Sequence, residues 1–114
     1  MSSPEPTLIA INRVRADRAD EFEDWLHTVV VPAMREHAPH QEGRWRALRG
    51  TEAEDGVVVF AFVFSGGPEE DWELQPLLEK ALGAEGADRA LADMRGMLTE
   101  EQYGWSFSDV RLDA

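Results

Sequence analysis

The 114-residue chain has no cysteine and only one lysine and one tyrosine. Without cysteine, disulfides, thiolate nucleophiles and cysteine-ligated zinc are excluded. No apolar run approaches the roughly 20 residues that span a bilayer. The first residues lack the basic and apolar regions of a secretory signal, so we expect a cytoplasmic protein.

Several catalytic motifs are also missing from the sequence. There is no glycine-rich phosphate loop beyond Gly66-Gly67-Pro68, and no G-x-S-x-G nucleophile elbow. Lys80, the single lysine, is surrounded by helix charges and gives no reason to expect a Schiff base. These absences argue against nucleotide hydrolysis and covalent catalysis.

Basic residues are scarce and unevenly placed. The formal net charge is −12, with 11 Lys and Arg against 23 Asp and Glu. Residues 1–49 carry seven Arg and eight acids, whereas residues 50–114 carry four basic groups and fifteen acids. Such a balance repels phosphate backbones and anionic membrane surfaces, so neither nucleic acid nor membrane is an expected partner.

The length and the 43% of hydrophobic residues fit a single folded domain, 1–114, with 1–6 as a flexible N-terminus because of Pro4 and Pro6. We expect Pro32 to kink or break the first helix near Val31, and Pro76 to break or bend the second helical region. Hydrophobic periodicity predicts, in chain order, strand Thr7–Arg15, helix Ala16–His37, strand Arg44–Arg49, hairpin Gly50–Gly56, strand Val57–Ser65, a helical region from Pro68 to Leu82, a helix Ala87–Leu98 beyond Gly83 and Gly86, and strand Tyr103–Leu112.

This order predicts an α+β, ferredoxin-like βαββαβ fold with a four-stranded antiparallel sheet and helices on one face. The third strand, Val57–Ser65, is apolar on both faces, since Val57, Val59, Ala61 and Val63 alternate with an equally apolar set. Helices cover only one face, so the other face needs a second copy of the chain. We therefore expect a homodimer in which two sheets form a barrel-like core.

One stretch carries a family resemblance: Phe22-x-x-Trp25, then Pro32, then Arg44-x-Arg46-Ala47-x-Arg49. It resembles the dimeric α/β-barrel superfamily, in its EthD-like and antibiotic-biosynthesis-monooxygenase-like branches. The histidine that this pattern places two residues before the proline is Val30 here. The resemblance implies a pocket between helices and sheet for an aromatic or polyketide-like ligand. The activities that the resemblance implies are those of cofactor-free monooxygenases, polyketide cyclases, lactone isomerases and haem-degrading enzymes, and the superfamily also includes proteins without known activity.

Histidines are the first candidates for acid–base chemistry. His37, near a helix end, could enter a pocket mouth as a catalytic group, or could be held by the last helix carbonyls. His27 is a candidate substrate contact, or a solvent-facing or interface residue. His37-Ala38-Pro39-His40 resembles a metal cluster, but Pro39 prevents a regular display of the two imidazoles, so we predict no metal site.

Asn12 and Tyr103 complete the candidate catalytic set with His37. Asn12 is an amide in an apolar strand and must find partners there or in a pocket. Tyr103 is the only phenol donor. Trp45, Trp72 and Trp105 are candidate walls of a substrate cavity, or ordinary packing residues.

Two functions from different classes follow. The first is a small-molecule pocket protein that acts as a cofactor-free cyclase, isomerase or monooxygenase on an aromatic or polyketide-like compound. The second is a non-catalytic dimeric module that binds a ligand or a protein. Haem binding or degradation, with His27 or His37 as the axial ligand, is a third hypothesis that no other feature of the sequence favours.

Overall fold

The computed structural model describes residues 6–66 and 69–112. Its strands are β1 (Thr7–Arg15), β2 (Trp45–Arg49), β3 (Val57–Ser65) and β4 (Tyr103–Phe107), and its helices are α1 (Ala19–Trp25), α2 (Val31–His37) and α3 (Leu74–Met97). All strand pairs are antiparallel, in the order β2-β3-β1-β4. The helices pack on one face of this sheet, which confirms the predicted ferredoxin-like α+β fold.

The core lies between the helices and one face of the sheet. Along β3, Phe60, Phe62 and Phe64 are buried, and the residues between them are only half-buried. Phe22 of α1 packs against Phe60 with ring centroids 4.8 Å apart, and Trp72 stacks on Phe64 at the same distance. This aromatic row joins the sheet to the helices, and burial of each such ring contributes roughly 2–3 kcal/mol.

Pro32 is accommodated by a widened turn. Residues Leu26–Val30 form a π-helical turn, and α2 begins immediately after it with Pro32 as its second residue. A proline lacks the N–H that would reach back one turn, and its ring clashes with the carbonyl there. The expected kink at Pro32 therefore takes the form of this wider turn between α1 and α2.

The second helical region differs from the expectation at two places. Pro76 does not break α3, because it is the third residue of the helix, where backbone N–H groups have no intrahelical partner. The expected separation at Gly83 and Gly86 occurs at Gly83 alone, which has φ 77° and ψ 170°. Pro68, where the second helical region is predicted to begin, lies outside the described residues, and so does Met1–Glu5 at the N-terminus.

β4 is shorter than predicted, ending at Phe107 rather than Leu112. The reason is its partner: Phe107 pairs with Thr7, the first residue of β1, so no strand lies beside the residues that follow. Val110 and Leu112 are accordingly 78% and 94% exposed. No helix in the described ranges is long and apolar enough to cross a membrane.

Arg49 ties the edge strand β2 to α1. Its guanidinium lies 2.9 Å from a carboxylate oxygen of Asp20 and 3.0 Å from one of Glu23, and it stands 5.6 Å above the centre of the Phe60 ring. These hydrogen bonds raise the pKa of Arg49. The contact fixes the orientation of α1 on the sheet.

Gly104 provides a test of the β1–β4 register. A Cβ atom at this position would collide with the Ile9 carbonyl oxygen and lie 3.0 Å from Ala10 Cα, and backbone atoms cannot move aside as a flexible side chain can. We expect Gly104→Ala to lower the free energy of unfolding by about 1–3 kcal/mol, measured by urea denaturation. Gly43→Ala is the matched control, since a Cβ there meets nothing within 4 Å. Equal stability of the two variants would contradict the register.

Candidate functional site

A cleft of about 740 Å³ lies between α3 and the helix-side face of the sheet. Its size is in the range typical of small-molecule sites. The floor comes from the strands, one wall from α3 and the rim from the loop before β4. The lining residues are Leu8, Ala10, Phe62, Phe64, Trp72, Glu73, Leu74, Gln75, Leu91, Met94, Arg95, Leu98, Thr99, Glu100, Glu101, Gln102, Tyr103 and Gly104.

Two small residues of the sheet create this space. Ala10 and Gly104, the smallest residues of β1 and β4, lie opposite each other on the helix-side face of the sheet. The long helix α3 crosses above them, but β4 carries no large side chain on that face. The cleft is therefore a place where small residues leave the sheet uncovered between strand and helix.

A buried amide beneath the cleft, Asn12, holds one of its polar lining residues, Gln102, which is exposed in the loop before β4. Asn12 is fully buried, and its Nδ2 donates a hydrogen bond to the Phe60 carbonyl oxygen at 3.2 Å. Its Oδ1 accepts a hydrogen bond from Gln102 Nε2 at 2.7 Å. Asn12 thus satisfies its own amide and holds a residue that lines the cleft.

Trp72 forms part of the aromatic wall. Its indole stacks on Phe64, and its Nε1 donates a hydrogen bond to the Gly66 carbonyl oxygen at 2.8 Å. The ring is therefore held at both its face and its polar edge. A flat ligand that enters the cleft meets a wall with a fixed orientation.

The other predicted aromatic residues do not direct their functional groups into the cleft. Tyr103 borders the cleft, but its register partner Ile11 and its ring contact with Trp105 place the phenol on the opposite face of the sheet. Trp105 is 57% exposed on that same face. Trp45 packs edge-on against Phe62 behind the cleft, and its Nε1 is buried without a hydrogen-bond partner in the described structure.

The histidines do not border the cleft. His37 is half-buried at the end of α2, with its Nε2 3.9 Å from a carboxylate oxygen of Glu36. His27 is exposed on the π-helical turn, and His40 is exposed after α2. Within residues 6–66 and 69–112, no three His, Asp or Glu side chains come together in a way that could hold a metal ion. Of the predicted residues, Trp72 and Tyr103 line the cleft, and Asn12 is joined to it through its hydrogen bond with Gln102.

Sequence reasoning missed Gln102, Arg95 and the acidic rim of Glu73, Glu100 and Glu101. Gln102 stands two residues before a glycine in a polar loop, with nothing in its local pattern to set it apart. Its partner Asn12 is 90 residues away in the chain. The unusual amide in β1 was the available signal, because a buried amide requires a polar neighbour.

The variant Asn12→Asp tests this polar pair. A protonated Asp can donate to the Phe60 carbonyl and accept from Gln102, whereas the ionised form places a buried charge against that carbonyl oxygen. Burial raises the native pKa above the unfolded value near 3.9, so the native state holds the proton longer and relative stability falls as pH rises. We expect near-equality with wild type at about pH 4 and a loss of roughly 2–4 kcal/mol at pH 7, measured by urea denaturation of both proteins. A pH-independent difference would contradict the buried pair.

Comparison with known proteins identifies two solved structures of the same architecture. One is a protein of Caulobacter crescentus named "putative antibiotic biosynthesis monooxygenase", with TM-score 0.54 and 15% identity over 96% of this chain and 92% of that one. The other, of Nitrosomonas europaea and with the same name, has TM-score 0.56 and 13% identity over 100% and 98% of the two chains. No family model and no curated protein matches the sequence. The chain has the ferredoxin-like fold of these two proteins, as the sequence resemblance implied.

Proposed function

We propose that the protein is a small-molecule enzyme whose cleft binds an aromatic or polyketide-like compound, and that it acts as a cyclase, isomerase or monooxygenase without a cofactor. The observation that carries this proposal is the 740 Å³ cleft, which combines apolar and aromatic walls with the Asn12–Gln102 pair at one end. Apolar walls with a few oriented polar groups are the usual composition of a ligand site. The names of the two structural relatives agree with this class of activity.

Within the proposal, the polar groups have distinct tasks. The stacked Trp72–Phe64 pair forms the aromatic wall against which the ring of the ligand packs, and Gln102, held by Asn12, orients a polar substituent. Proton transfer needs a group that reaches the ligand, and Glu73 and Glu101 are carboxylates on the cleft rim. His37 lies outside the cleft and the Tyr103 phenol is on the other face of the sheet, so the prediction that they are catalytic is separate from this arrangement. It requires that His37→Ala and Tyr103→Phe each lower turnover.

A non-catalytic binding module is the second candidate. It is favoured by the position of His27 and His37, which leaves the cleft without an imidazole among the described lining residues. The two functions differ in outcome: a module binds the compound and returns it unchanged, whereas the enzyme releases a product that mass spectrometry detects. The cytoplasm is the proposed location in both cases.

Trp72 tests the cleft as the binding site. We expect Trp72→Ala to weaken binding of 2-naphthol, a flat hydroxylated probe, by roughly five- to thirtyfold, because it removes the stacking wall at about 1–2 kcal/mol. Binding is measured by NMR titration. Leu82→Ala is the control, since Leu82 is 48% exposed on α3 and does not line the cleft. Equal loss in both variants would contradict a site at Trp72.

We also propose that the protein is a homodimer. The face of the sheet opposite the helices, here called the open face, is apolar: Ile9, Ile11, Val59, Ala61 and Val63 are half-buried, and Leu48, Tyr103, Trp105 and Phe107 are 39–57% exposed. A contiguous apolar surface of this kind typically marks an interface. A second copy placed face to face would cover the apolar residues of both sheets.

Charge placed on the open face tests the dimer. Trp105→Glu changes a side chain that is already 57% exposed in the subunit, so the fold should tolerate it, while an interface would bury the new carboxylate. We expect wild type to sediment as a dimer at micromolar concentration and Trp105→Glu as a monomer. Leu82→Glu, also exposed but on α3, should remain dimeric. A monomeric wild type would overturn the proposed assembly.

A further inference from the structure

Gln102 has an orientation that the buried core dictates. The Phe60 carbonyl oxygen can only accept a hydrogen bond, so the Asn12 side chain must turn its NH₂ group towards it. The Asn12 oxygen then faces the other way and needs a donor. Gln102 supplies that donor through Nε2 at 2.7 Å. The Phe60 carbonyl in β3 thereby determines that Gln102 uses Nε2, and not Oε1, in its hydrogen bond with Asn12.

What remains of the Gln102 amide is available to a ligand. One N–H is used by Asn12, which leaves the Oε1 oxygen and the second N–H. Oε1 accepts no hydrogen bond from the part of the chain that the structure describes. Gln102 lines the same cleft as Ala10 and Gly104. The cleft thus ends in a neutral, oriented hydrogen-bond acceptor.

The charges around this acceptor disfavour a carboxylate ligand. Glu73, Glu100 and Glu101 line the cleft, against Arg95 as the single cation among the described lining residues. Glu100 is held by Arg13 at 2.8 Å, so two carboxylates face one guanidinium. An anion brought to Gln102 would share the cleft with the carboxylates of Glu73 and Glu101 and would meet an amide oxygen that repels it. An uncharged hydroxyl group would instead donate a hydrogen bond to Oε1.

We propose that Gln102 is the specificity-determining residue of the cleft and that it selects an uncharged aromatic compound bearing a hydroxyl group. Asn12 acts through Gln102 as a positioning residue, since it fixes the amide without needing to touch the ligand. This inference rests on the proposed small-molecule function, and it adds the chemical class of the compound.

Three matched probes test the inference on the full chain. 2-Naphthol offers a hydroxyl donor, 2-methoxynaphthalene has the same ring without a donor, and 2-naphthoate carries a carboxylate. A neutral hydrogen bond contributes about 0.5–1.5 kcal/mol, so wild type should bind 2-naphthol roughly two- to tenfold more tightly than 2-methoxynaphthalene, and should bind 2-naphthoate most weakly. Dissociation constants are measured by NMR titration.

Gln102→Met keeps the unbranched length of the Gln102 side chain and removes its amide. We expect this variant to bind 2-naphthol and 2-methoxynaphthalene with equal affinity, and to retain the wild-type affinity for 2-methoxynaphthalene, which reports that the cleft is intact. A variant in which both affinities fall by the same factor would show Gln102 to be structural and would overturn the inference.

The failure of this inference differs from failure of the proposed function. If wild type binds 2-naphthol and 2-methoxynaphthalene equally well, the cleft binds aromatic compounds but Gln102 does not select them. Preference for 2-naphthoate would likewise overturn the inference and assign the selection to Arg95. If none of the three probes binds wild type, the small-molecule function fails and the role of Gln102 fails with it.

Discussion

The double-sided apolar strand β3 is the constraint on which the rest of the structure depends. Its two faces have different surroundings: Phe60, Phe62 and Phe64 are buried under the helices, and Val59, Ala61 and Val63 are only half-buried on the open face. A strand with one wet face would alternate apolar and polar residues. β3 therefore lies inside the sheet with helices on one side, and its open face is the surface that the proposed second copy would cover. Its neighbours β1 and β2 hold it there through full antiparallel ladders.

The same strand explains why the cleft lies where it does. On β3 and β2 the helix-side face carries large rings that fill the space beneath α1 and α2. On β4 that face carries Gly104, which Ala10 meets across the ladder. The core is therefore dense at one side of the sheet and thin at the other, under α3. The space of the cleft is a consequence of where large side chains stop, and the loop before β4 supplies its polar rim.

The fold could be predicted from sequence because its signals are local and periodic. Alternation along Thr7–Arg15 and the double apolar pattern of Val57–Ser65 identify strands without any tertiary knowledge. The errors lie where a distant partner decides the outcome. β4 ends at Phe107 because β1 begins at Thr7, and the tolerance of Pro76 depends on where α3 begins. Neither fact can be read from neighbouring residues.

The site was less predictable, and the physical reason is its composition. Acid–base reasoning selects histidine because its pKa lies near neutral pH, but the helix geometry carries His27 and His37 away from the cleft. Aromatic reasoning selects four rings, of which Trp72 forms a wall, while Trp45 is packed into the core and Tyr103 and Trp105 stand on the open face. The choice among them depends on strand register, because a shift of one residue moves a side chain to the other face. Asn12 is different in kind: a buried amide in an apolar strand is costly wherever it lies, and its cost is offset only by fixed partners. That cost makes a polar residue in a core strand a better indicator of a site than an aromatic residue, whose burial is favourable in any surroundings.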